Sequence, residues 1–80
     1  MSKVIHQSIE VKTDGRGRPL MLAWERREVV VREVLDCWEE AGLWWEGELP
    51  RRVYRLMGRD GVVYEVHHSD QSWRLYRLYD

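Results

Sequence analysis

The last third of the chain shows the plainest alternation of apolar and polar positions. Residues 53–57 and 62–67 are two β-forming runs separated by Gly58-Arg59-Asp60-Gly61, and Asp-Gly between such runs marks a tight hairpin because both types tolerate positive φ. In the second run Val62, Tyr64 and Val66 fall on one face and Val63, Glu65 and His67 on the other. The Tyr64 face is expected to point inward. Ser69-Asp70-Gln71-Ser72 reads as a second turn, and 73–79 as a returning strand in which Trp73, Leu75 and Tyr79 alternate with Arg74 and Tyr76.

The first half fits the same scheme. Ile5, Gln7, Ile9 and Val11 share one side of the run 4–12, and the cluster Asp14-Gly15-Arg16-Gly17-Arg18-Pro19 turns the chain into a second run at 20–24. Residues 28–41 admit two readings. Val30, Val31, Val34, Leu35 and Trp38 recur at helical spacing, with Gly42 placed as a C-terminal cap; yet Val29-Val30-Val31 is β-branched and the preceding Glu25-Arg26-Arg27 is hairpin-like, which favours a strand. Six short strands predict one all-β domain over 1–80, a curled antiparallel sheet or small SH3-like barrel with residues 1–3 frayed. A helix over 30–41 instead gives an α+β domain with that helix on one sheet face.

Composition thins the core of this picture. Eighty residues with 44% hydrophobic content make a domain near the lower size limit for a single core. Five Trp and four Tyr with no Phe place the aromatic area at core boundaries, where N–H and O–H groups find partners. A net charge of −1 creates no global field toward nucleic acid or an acidic membrane. Cys37 is the single cysteine, which excludes an internal disulfide and fits a reducing cytoplasm, and no apolar run is long enough for a signal peptide core or a membrane-spanning helix.

Candidate chemistry is sparse. Cys37 lies in an apolar segment away from any histidine, so it reads as a buried structural thiol and no catalytic residue is expected. His67 and His68 are neighbours on a strand and point to opposite faces, so they do not converge on a metal ion. Gly15-Arg16-Gly17 lacks the Lys-Ser/Thr sequel of a phosphate loop, and no cofactor is expected. Binding is better supported. In Gly42-Leu43-Trp44-Trp45-Glu46-Gly47 the two indoles of an extended chain point apart, so one is expected to seal the core and the other to face out. With Arg51, Arg52 and Tyr54 that outward tryptophan forms the candidate contact patch, arginine and aromatic anchors being the types that dominate interface energetics. Arginines at 16, 18, 26, 27, 51, 52, 55, 59, 74 and 77 also suit phosphate beside base-stacking rings, so single-stranded nucleic acid is the alternative ligand. Equally, such arginines pair with glutamate and stack on aromatic rings as plain sheet structure.

The succession Pro19-Leu20-Met21-Leu22-Ala23-Trp24, Gly42-Leu43-Trp44-Trp45, Arg52-Val53-Tyr54-Arg55 and Trp73-Arg74-Leu75 closing on Tyr79-Asp80 resembles a small bacterial domain of unknown function. It also resembles the C-terminal segment of Y-family-polymerase-like mutagenesis proteins of DNA-damage tolerance, over residues 19–80. The resemblance implies a non-enzymatic accessory β-module that works near polymerase or repair proteins by contact. Exposed sheet edges can pair two copies, so a monomer or a homodimer is expected.

Overall fold

The computed structural model describes residues 2–42, 47 and 49–79, with side chains from Ile5 onward. Six strands follow one another: β1 (Ser2–Thr13), β2 (Pro19–Trp24), β3 (Arg27–Glu40), β4 (Arg51–Gly58), β5 (Val63–Ser69) and β6 (Ser72–Tyr79). Each pairs antiparallel with the next, and β6 returns to β1, so the sheet closes into a barrel. The segment with two readings is strand throughout: β-branched packing and a partner on β4 from Val31 to Glu40 outweigh the helical spacing of its apolar residues. No helix long and apolar enough to cross a membrane occurs among the described residues.

Turn chemistry sets the registers. Asp14 accepts hydrogen bonds at one carboxylate oxygen from the Arg16 and Arg18 amides, 2.8 and 2.9 Å, while Gly17 takes φ +82°, and this locks the β1–β2 turn. Glu25 and Arg26 form the two-residue link from Trp24 to its partner Arg27. In the Gly58–Gly61 turn, Asp60 accepts from the Val62 amide at 3.0 Å and from the Tyr64 hydroxyl at 2.6 Å. Asp70 and Gln71, both at positive φ, make the tight turn between the paired Ser69 and Ser72.

The core is the barrel interior, where Leu22, Leu56, Val66 and Leu75 have no exposed surface. Ile9, Trp24, Val29, Tyr54 and Tyr64 complete it, with the Trp24 and Tyr64 rings edge to face at 5.8 Å. Ile5 and Val11 pack against it as their alternation requires. On β6 the strict alternation expected from Trp73 to Tyr79 fails. The ladder to β5 skips Tyr76, so Leu75 and Leu78 both point in and Tyr79 shares the outer row of Val63. β1 carries an irregularity at the same level, where its extra residue, His6, takes φ +56° and sets its ring 4.3 Å from that of Tyr76. A second small packing centre lies outside the barrel: Val53 is fully buried between its ladder partners Trp38 and His67, although it is not part of the interior cluster.

Candidate functional site

β2 has six residues and β3 has fourteen, and their pairing ends at Met21–Val30. Beyond Val30, among the described residues, β3 is paired only with β4, and across from it stands the β1–β2 turn. The space between is an open groove of about 690 Å³. Pro19, Val31, Val34 and Tyr54 supply its apolar surface, and Arg16, Arg18, Arg32 and Arg52 stand around it with Glu33 as the one carboxylate in the lining. Four guanidinium groups, one of them paired with Glu39, make this a basic concave surface on a chain whose net charge is −1.

The arginines are held differently. Arg16 and Arg18 ride on the turn organised by Asp14, whose carboxyl is held below the usual range by the Arg18 amide first and the Arg16 amide second. Arg52 is tied at its guanidinium to Glu39 at 2.6 Å; that bond, with a smaller contribution from Tyr54, pushes its pKa above the ordinary arginine value. Among the described residues no ion pair engages Arg16, Arg18 or Arg32.

The expected contact patch is divided by the sheet. Arg52 and Tyr54 point to the groove, Tyr54 as a buried wall packed 5.5 Å from the Trp73 ring. Arg51 projects from the other face of β4 and is bound through two nitrogens, each at 2.9 Å, to Glu40. Glu40 also accepts the Trp38 indole N–H at 3.1 Å, and its carboxyl lies below the usual value because of that bond first and Arg51 second. Trp44 and Trp45 lie outside the described residues. Arg32 entered no sequence argument, because its segment was open to a helical reading that gives it no defined neighbours. Cys37, expected to be buried, is exposed at the groove's edge, where the described residues place no strand on that side of β3 beyond Val30.

On the outer face of β4–β6, Arg55 and Arg77 engage the rings of Trp38, Tyr76 and Tyr79. Arg55 lies 5.4 Å from the Trp38 ring and 5.9 Å from that of Tyr79, and reaches Glu65 at 3.6 Å. Glu65 also meets His67 Nε2 at 3.2 Å. His67 stacks on Tyr76 at 4.6 Å, Arg77 donates to the Tyr79 hydroxyl at 3.2 Å, and on the inner row His68 stacks on Trp73 at 4.0 Å. The two adjacent histidines thus serve opposite faces, each against a different aromatic ring.

Comparison with known proteins gives a family and no function. The chain belongs to a family described as a domain of unknown function (DUF6504), whose model matches residues 1–80. No curated protein and no solved structure matches it.

Proposed function

We propose that this member of the DUF6504 family is a non-enzymatic interaction module and that the arginine-lined groove is where it receives a partner protein. The observation that carries this reading is the convergence of Arg16, Arg18, Arg32 and Arg52 on one apolar-floored groove in a chain with no net basic charge. Arginine side chains beside apolar surface are the combination that anchors protein interfaces. The resemblance to mutagenesis proteins names polymerase and repair factors as the first partners to try. Reversing charge at Arg16, Arg18 and Arg32 together is expected to abolish capture of a mass-spectrometrically identified host partner. Capture that survives the reversal would overturn the reading.

Single-stranded nucleic acid is the second reading, favoured by the same four guanidinium groups. Its weakness is the stacking half: Tyr54 is a buried wall, and the rings of Trp73, Tyr76 and Tyr79 already face His68, His67 and the arginines. Anisotropy of a labelled oligothymidylate distinguishes the two, since phosphate binding must strengthen steeply as salt is lowered.

A further inference from the structure

We infer that the groove takes its partner as an added strand: an extended, acidic segment of another protein pairs with the open edge of β3 between Val31 and Cys37 while its carboxylates reach Arg16, Arg18 and Arg32. The inference rests on the groove being the binding site.

Its first support is the ladder. After Met21–Val30 the described residues place no strand beside β3 on the side away from β4. At the far end of this stretch the Cys37 amide donates at 2.9 Å to the carboxylate of its own neighbour Asp36, so the guest strand is expected to pair from Val31 toward that point. An unpaired edge of this kind is a template for another chain. Adding a strand there supplies main-chain hydrogen bonds, and the period of two sends alternate side chains of the guest toward the groove.

Charge selects the guest. Acidic side chains at every second position meet guanidinium groups that bind carboxylates in forked geometry. The β3 ladder to β4 is irregular near Arg32 and Leu35, so the paired stretch is short and the arginines must supply much of the hold. A second copy of this chain is a poor guest, because pairing two β3 edges about a two-fold axis would bring two arginine-lined grooves together. A nucleic acid strand could meet the guanidinium groups but has no peptide edge to pair.

The test uses the intact protein and an acetylated, amidated octapeptide of alternating glutamate and valine. Binding is read by anisotropy of a labelled copy and by protection of Cys37, the chain's single thiol, from alkylation. Two further peptides carry N-methyl groups on the glutamates only or on the valines only. With glutamates facing the groove, only one set of amides points at β3, so one methylated peptide is expected to bind at least tenfold more weakly and the other to match the parent. Arg16→Glu with Arg18→Glu is expected to weaken the parent peptide by a similar factor. Equal binding of all three peptides would overturn strand addition and leave the groove reading standing. So would failure of the parent to bind at low salt, binding by oligothymidylate alone, or dimerisation through the same edge. Partner capture that survives charge reversal defeats the groove reading itself.

Discussion

Tyr64 shows how much one side chain carries in so small a barrel. Its ring is core and its hydroxyl donates to Asp60 at 2.6 Å, which couples the β4–β5 turn to the interior. Burial first, and the Asp60 carboxylate second, push the phenol above its usual pKa. A raised pKa on an acid means that the folded state favours the neutral form. The stabilisation is complete below the unfolded value near 10 and is lost as pH rises from there through the folded value. Ultraviolet titration is therefore expected to show a phenol ionising above the usual tyrosine value, with Tyr64→Phe removing that step. The same substitution is expected to cost about 1–3 kcal/mol near neutrality, through the lost bond to a charged acceptor. A titration unchanged by Tyr64→Phe above that value would refute the assignment. Gly58 belongs to the same locus: a Cβ there would stand 2.8 Å from Val29 Cγ1 and 3.1 Å from the Tyr64 ring. The nearest obstacle, Asp60 Oδ1 at 2.5 Å, belongs to the turn that the sequence marks; the contact with Val29, twenty-nine positions away, is the part that no local pattern announces.

Among the elements, the β1–β2 turn matters most for the groove, since it alone presents Arg16 and Arg18. Asp14 holds it through two backbone amides, and these lower its pKa. A lowered pKa makes the turn's contribution present above the unfolded value near 3.9 and lost as pH falls through the folded one. Amide exchange at Arg16 and Arg18, corrected for the intrinsic rate, is expected to lose protection below that range. Asp14→Ala should show the loss already at neutral pH, with no further response to acid. Protection unchanged in the variant would mean that the strands alone hold the turn. Turns of this kind were legible because their chemistry is local: Asp14 to Pro19, Asp60-Gly61 and Ser69 to Ser72 all turn where their residue types demand. The strand character of residues 28–41 was legible only as the better of two readings, because a helix and a curved strand can share apolar spacing. The skipped Tyr76 and the positive φ of His6 were not legible, since irregularities arise from fitting two neighbouring strands at once. The site followed the same rule. Arg52 and Tyr54 were found by residue type, but their separation from Arg51 depends on which face of β4 looks inward, and Arg16, Arg18 and Arg32 meet them only through the pairing of β2 with β3 and of β3 with β4.

Closure is a property of the whole molecule. It is achieved by pairing β1 with β6, Ser2 with Tyr79 at one end and Ile9 with Trp73 at the other, which joins the most distant parts of the chain. Contacts so far apart in sequence incur their loop entropy before they return any burial, so they are expected to form late. The β4–β5 hairpin has the opposite character: its turn is organised by Asp60 and its partners are close in sequence. Leu75 on β6 is fully buried beside the seam, and truncating it to Ala is expected to cost about 2–5 kcal/mol. That is a large fraction of the roughly 4–12 kcal/mol available to a chain of this length. If the hairpin nucleates and the seam closes last, the Leu75→Ala loss should appear almost wholly as faster unfolding, whereas Tyr64→Phe should slow refolding. Stopped-flow refolding and unfolding in urea separate the two cases. Slower refolding of Leu75→Ala with unchanged unfolding would place barrel closure in the folding nucleus, and the β4 wall of the groove, Arg52 and Tyr54, would then form no earlier than the seam.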